Sequence, residues 1–563
     1  MNGVNCAHVV VAALLLLCGA LPASAQSSQL FTHGVACGEP STSEVVLWTR
    51  TRTPSAVTPQ LLDESGAVQR ELPQVQTTAD SDNTVKTVIG DLAAGSTVHY
   101  RFRGPGGELS TAGTCHTAPP PDSTAAFSFG FSGDTDWKWR PYPVMNALNH
   151  ESLDFFIFLG DTIYETTNFE GTTVAEDLAT YRAKYRENRE LPNGLPADAP
   201  VPMQQMYASF GIFSVPDNHE LGTSVADPGA PKYTEGGAPA APGGSELVNQ
   251  TPGFDDRARA YEEYQPLHER PGGPNGTRQL YFTQPWGQAA RLIVVDDRSY
   301  RDARLPNSDD PRADDPSRTM LGATQLQWLE TELTSAQADG TTWKFVVISS
   351  PIQHIGRKSE IGVDLDGSKS WEGGYRVERD RLLKYIDDNA IDNVVFLTTD
   401  NHNTMINNLL YRQDPEDPSS PMVPARNAFE LLTGPLGAGF GYPVQTDLTG
   451  MSGRDAERTV ASVLAGLQVK AGVDPIGLEP ATVDVVPSSV IAEGGEPGAV
   501  EPAAFTSFNT FTYAVLTVDG STLTVRVTGH PGVDPATLRD PSVLAQYAAT
   551  ESHPILTFQV TAR

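Results

Sequence analysis

From Ala125 onward the chain alternates short apolar runs with amphipathic stretches. Phe127 to Phe131, Phe155 to Leu159, Ile212 to Val215, Leu292 to Val295, Phe345 to Ile348 and Val394 to Leu397 each have the length of a buried strand. Between them, Thr324 to Ala336 places Leu326, Leu329 and Leu333 at helical spacing with Trp328 alongside. Arg376 to Asp387 does the same with Leu382, Leu383 and Ile386. Strands alternating with helices predict an α/β layered domain. Ahead of it, Val45 to Arg50, Val85 to Ile89 and Val98 to Phe102 are strand-like runs divided by turn signals. They predict a small all-β sandwich.

These patterns set the expected boundaries. Residues 26–118 form the β-sandwich domain, and 119–124 are a stiff linker built around Pro119-Pro120-Pro121. Residues 125–563 form the larger α/β domain, with 222–287, rich in Gly, Pro and Ala, as a long insertion or lid. Phe511 to Val518 and Leu523 to Val527 flank Asp519-Gly520-Ser521-Thr522, a hairpin pattern expected at the far edge of a sheet.

Several of the apolar runs end in metal-ligand side chains. The clusters are Ser132-Gly133-Asp134, Gly160-Asp161, Asp217-Asn218-His219-Glu220 and Asp400-Asn401-His402-Asn403. Parallel strands end on a common sheet edge, so groups distant in sequence meet there. Asp134 and Asp161 stand about one βαβ unit apart. Two carboxylates side by side repel unless cations lie between them. Asn218 offers a neutral oxygen, and His219 beside it is a candidate general acid. Asp400 and His402 alternate in an extended segment, so both reach one side. Asn401 and Asn403 read as supporting or loop residues. Tyr164, three residues after Asp161, reads equally as a phenolate ligand or as an aromatic packed under the site. Together the set has what a two-metal hydrolytic centre needs.

Charge narrows the partners. The net charge is −30 over 563 residues. This opposes a nucleic-acid-binding or anionic-membrane surface. A phosphate-bearing substrate then needs local positive charge, which metal ions supply. Val9 to Cys18 followed by Ala23-Ser24-Ala25 reads as a signal peptide over residues 1–25, although no Lys or Arg precedes the apolar run. The expected location is therefore exported, periplasmic or extracellular, without a transmembrane anchor. Cys37 and Cys115 remain in the mature chain and suggest one disulfide.

Longer motifs add a resemblance. Phe31 to Pro40 with Leu47-Trp48-Thr49-Arg50, and Leu159-Gly160-Asp161-Thr162-Ile163-Tyr164-Glu165, resemble the PhoD-like alkaline phosphatase and phosphodiesterase family of calcineurin-like metallophosphoesterases. Val295 to Arg301, Met320-Leu321-Gly322 with Gln325, Ser370 to Tyr375, and Leu397 to His402 are similar to further motifs of that family.

The resemblance implies a layered metallophosphoesterase sandwich, two mixed sheets flanked by helices, behind the β-sandwich domain. It implies an exported phosphoesterase that hydrolyses phosphate mono- or diesters by attack of a metal-bound hydroxide; the chain is expected to act as a monomer. It implies Asp161 as bridging ligand, Tyr164 on iron, Asn218, Asp400 and His402 as ligands, His219 assisting the leaving group, and Arg298 on the phosphoryl oxygens. Without it, Arg298 reads as an ion pair at the surface or core edge.

Two departures bear on the metals. Relatives often carry a cysteine near Ser132, and this chain has none there; Asp134 takes the place of the wider superfamily's first aspartate. Asn218 stands where many relatives have Asp. Ca2+ and Fe3+ follow from the resemblance, and Mn2+, Zn2+ or Mg2+ also suit the donors. Asp364 to Ser368 is a weak calcium-loop pattern and His354 a weaker ligand candidate. Two other readings compete: a nucleotide- or phospholipid-directed phosphodiesterase with the same site, and a non-catalytic surface protein stabilised by calcium.

Overall fold

The computed structural model describes residues 30–167, 174–221, 253–272, 278–305, 307–353, 370–439 and 510–563, with short pieces at 249, 359, 483–484, 500–501 and 504–507. The signal peptide, residues 222–248, His354 and the Asp364 to Ser368 loop lie outside the described residues.

Two large sheets face each other. At the centre of the 10-stranded sheet, strands Phe127–Ser132, Phe155–Phe158 and Gly211–Ser214 run parallel. At the centre of the 8-stranded sheet, Ala290–Val294, Trp343–Val347, Val394–Thr398 and Met422–Leu432 run parallel. All six predicted apolar runs are strands of these two sheets. Their alternate residues point to opposite faces, and both faces are buried. Phe129, Phe131, Phe155 and Ile157 meet Leu292, Phe345, Val395 and Leu397 between the sheets. The rings of Phe129 and Phe345 cross that interface edge-on, with centroids 5.0 Å apart. On the outer side of the second sheet, Val346 and Phe396 pack on Leu329 and Leu333 of helix Gly322–Ala338 and on Leu382, Leu383 and Ile386 of helix Arg376–Asp388. The predicted layered α/β sandwich is thus the fold.

The N-terminal β unit is present, but it shares a sheet with the α/β domain. Strand Phe31–Gly38 pairs parallel to Gly211–Ser214, with Cys37 opposite Gly211. Val45–Thr51 and Thr84–Ile89 extend the same sheet. A strand edge left open at Gly211–Ser214 would expose unpaired backbone groups, and the N-terminal strand covers them. The second layer is a 5-stranded sheet that includes Ala56–Leu62, Thr97–Arg103 and Gly113–His116. Val35, Leu47, Leu61, Tyr100 and Phe102 fill the space between the layers. Cys37 and Cys115 are bonded across it, Cα to Cα 6.3 Å.

Two expectations change. The hairpin forms as Thr510–Asp519 and Thr522–Pro531 but does not end its sheet. Its first strand pairs with Phe127–Ser132 in the interior, and the sheet continues through His553–Thr561. The apolar residues Ala514, Leu516 and Val518 belong to the core, which is why the strand is drawn inward. Within 222–287, helix Phe254–Tyr264 and edge strand Phe282–Trp286 are integral elements, so the stretch is only partly an insertion. No helix among the described residues is long and apolar enough to cross a membrane.

Candidate metal centre

The ends of the parallel strands of both sheets converge. Just beyond them the chain takes left-handed turns at side chains with metal-binding groups: Asp134 (φ +63°), Asp161 (+47°), Asp400 (+69°) and His402 (+52°). Such backbone is uncommon outside glycine, and its clustering marks a site that the surrounding packing holds in place. Gly160 makes the approach close: a Cβ there would lie 2.5 Å from Cβ of Asp217.

Two triads result. Ligand atoms of Asp134, Asp161 and His402 lie within 4.8 Å of one another, as do those of Asp161, Asp217 and Asp400. Asp161 belongs to both. The hydroxyl of Tyr164 is 2.6 Å from Nε2 of His402, which places the phenol beside the first triad. Nδ1 of His402 bonds the carbonyl of Gly439 and so turns Nε2 toward the carboxylates.

The electrostatics call for cations. Burial, then the charges of Glu220, Asp134 and Asp400, push the Asp161 carboxyl well above its usual range. Asp217 is raised by burial against the pull of Arg298, and by Asp161 and Asp400. Oδ1 of Asp134, Oδ2 of Asp217 and Oδ1 of Asn218 are buried without a hydrogen-bond partner among the described residues. Buried oxygens are rarely left so. Clustered carboxylates, an amide oxygen, an imidazole and a phenol with orphaned oxygens fit bound metal ions. Asn401 and Asn403 are buried nearby in sequence, and neither amide group has a partner among the described residues.

His219 follows Asn218 in the short helix Asn218–Leu221. Its amide donates to Oδ1 of Asp161 at 2.9 Å. Its Nδ1 bonds Glu165, and its ring lies on Tyr164 with centroids 4.0 Å apart. Nε2 is 3.9 Å from Oδ2 of Asp161, and the side chain is 17% exposed. This is a buried centre whose two imidazoles are its partly exposed groups, His402 being 13% exposed.

Arg298 lies deeper than a surface or core-edge ion pair. Its guanidinium is fully buried and bonds Asp217, Asp400 at 3.1 Å and the Ser349 hydroxyl at 3.3 Å. Its Nη1 has no hydrogen-bond partner among the described residues.

Three contributors have no individual role assigned from the sequence. Asp217 is a ligand candidate in its own right. Glu220 looks like another ligand but serves the backbone. It accepts the amides of Asp161 at 2.9 Å and Asp217 at 2.8 Å, and both the amide and the hydroxyl of Thr162. Asn188 donates to the carbonyls of Thr135 at 2.6 Å and Thr162 at 2.7 Å, tying two ligand loops together. The cluster around His219 signalled Asp217 and Glu220; nothing in the sequence signalled Asn188.

Known proteins share both parts of the chain. The family model described as PhoD-like phosphatase matches residues 127–468. The one described as PhoD-like phosphatase, N-terminal domain, matches 18–119. Alkaline phosphatase D of Bacillus subtilis (strain 168) is 28% identical over 430 residues, covering 68% of this chain and 66% of that protein, just under two thirds of its length. A solved structure of PhoD superposes with a TM-score of 0.68 at 21% identity, covering 95% of this chain and 92% of the other. Purple acid phosphatase PPD1 from yellow lupin (Lupinus luteus) seeds superposes with a TM-score of 0.50 at 10% identity, covering 94% and 74%. At these identities the two structures speak for the fold alone.

Proposed function

The chain belongs to the PhoD-like phosphatase family, and on that premise we propose that it is an exported, metal-dependent hydrolase of phosphate mono- or diesters. The observation that carries the reading is the shared carboxylate: Asp161 lies in both triads at the strand ends. Asp134, Asp161, Tyr164 and His402 would hold one ion, and Asp161, Asp217, Asn218 and Asp400 the other. When bound, the ions supply positive charge to the phosphoryl oxygens and acidify water.

The chain's own residues do the rest. Glu165 holds the Nδ1 proton of His219, which leaves Nε2 to deliver a proton to the departing oxygen. Arg298 fixes Asp217 and Asp400 relative to each other. Its Nη1 is the donor left for a phosphoryl oxygen. Fe3+ with Ca2+ follows from the family likeness. The absence of a thiolate beside Ser132 favours harder ions, with Mn2+, Mg2+ and Zn2+ as the other candidates. The histidines weigh against a purely structural calcium protein.

The test is nitrophenol release from p-nitrophenyl phosphate and bis(p-nitrophenyl) phosphate, before and after chelation, with elemental analysis of the purified protein. Chelator-sensitive turnover that returns on adding metal is expected. Full turnover in the metal-stripped protein would remove the two-metal reading.

A further inference from the structure

We propose that Thr399 is a positioning residue for the metal centre: its hydroxyl pins Oδ2 of Asp134, so that this carboxylate offers a single oxygen, Oδ1, to the triad it forms with Asp161 and His402. The inference rests on the metal-hydrolase reading and adds the residue that sets how Asp134 binds.

Asp134 is buried, and its two oxygens are treated differently. Oδ2 accepts a short hydrogen bond from the Thr399 hydroxyl. Oδ1 has no hydrogen-bond partner among the described residues and lies 3.4 Å from Nε2 of His402. A free carboxylate can swing or bind through both oxygens. One held at Oδ2 presents Oδ1 in a fixed direction.

The hydroxyl is itself well anchored. Thr399 directly precedes Asp400, and its amide donates to the carbonyl of Ser349 at 3.0 Å, so it belongs to the second sheet's side of the centre. Asp134 belongs to the first. The bond between them therefore spans the two sheets and ties Asp134 of one triad to the residue next to Asp400 of the other.

Two glycines leave room for this pair. A Cβ on Gly434 (φ +153°) would lie 2.6 Å from the Thr399 hydroxyl and 2.7 Å from Oδ2 of Asp134. A Cβ on Gly133 would lie 3.1 Å from the Thr399 methyl and 3.2 Å from its hydroxyl. The Gly434 segment is strapped down in turn. Thr512 bonds both the amide and the carbonyl of Gly434 through its hydroxyl, at 3.2 and 3.0 Å. Gly437 donates to the carbonyl of Asp134 at 3.0 Å. The box thus admits the Thr–Asp pair and little else.

The experiment titrates the metal-free full-length protein with Mn2+ by calorimetry, with melting recorded for each variant. The wild type is expected to fill both triads. Thr399→Val, which keeps the shape and removes the hydroxyl, should bind roughly 10- to 100-fold more weakly at one site and unchanged at the other. Thr399→Ser should match the wild type. A merely structural hydroxyl would lower the melting temperature and leave both affinities alone; that result, or equal loss in the Val and Ser variants, overturns the proposal. Should Thr399→Val not fold, Thr399→Ser decides: retained affinity supports the proposal, and a ten-fold loss overturns it. A wild type that takes up no Mn2+ defeats the metal reading as a whole, an outcome distinct from the others.

Discussion

The Glu165 carboxylate accepts a hydrogen bond from Nδ1 of His219, a residue 54 positions further along the chain. Glu165 is almost fully buried, while the imidazole is partly exposed. A carboxylate on Nδ1 fixes which nitrogen is left for the substrate.

Glu165→Ala should therefore separate substrates by leaving group. An alkyl phosphate leaves as a poor alkoxide and needs its proton, so turnover should fall by about 100-fold. p-Nitrophenolate leaves without help, and its release should stay within about ten-fold. The ratio of the two rates is the readout. Equal losses on both substrates would mean that Glu165 supports the structure rather than the proton.

Asp161→Asn should trade activity for stability. The carboxylate is shared by both triads and is pressed by Glu220, Asp134 and Asp400. Removing its charge should abolish chelator-sensitive turnover and metal uptake. In the metal-free protein the same change relieves repulsion and should raise stability by about 1–3 kcal/mol. Denaturant melts with chelator present check the sign. A metal-free variant less stable than the wild type would contradict it.

Glu430 gives a pH dependence away from the ligands. Burial pushes its carboxyl up to about 7, although it accepts bonds from the amides of Ile352 and Gln353 and the hydroxyl of Thr398. Folded, it keeps its proton to about pH 7; unfolded, it loses it near 4.5. The folded state binds the extra proton between these values. Its contribution is therefore full below 4.5 and is lost as pH rises through 7. The loss is about 3 kcal/mol. Wild-type stability should fall more steeply than that of Glu430→Gln between pH 5 and pH 8. Parallel curves would assign the pH dependence elsewhere.

The disulfide closes a long loop. Cys37 and Cys115 are 78 residues apart in sequence. Chain entropy alone puts the contribution at about 4.5 kcal/mol. Replacing both with Ala should lower stability by up to that amount. The bond lies between the two N-terminal layers, among Val35, Leu47 and Tyr100, so turnover at room temperature should persist. Loss of turnover in a folded double variant would tie the N-terminal unit to catalysis directly.

Much of this molecule is set by local sequence. The apolar runs from Phe127 to Leu397 became strands because burial on both faces leaves few polar positions in them, Ser128 and Ser214 among them. The residue types at the strand ends marked the chemistry. What the chain could not state was which group each polar atom would face. Asp217 and Glu220 sit three residues apart with similar side chains, yet one faces the cation site and the other the backbone amides. Arg298 reads from its residues as an ion pair at the surface or core edge until packing buries it against Asp217 and Asp400. Thr399 is one threonine among many until Gly133 and Gly434 bring Asp134 to it. Hydrophobic periodicity reports only how one segment meets the core. The partners of buried polar groups are chosen by contacts between segments tens to hundreds of residues apart, and these exist only once the sheets have packed.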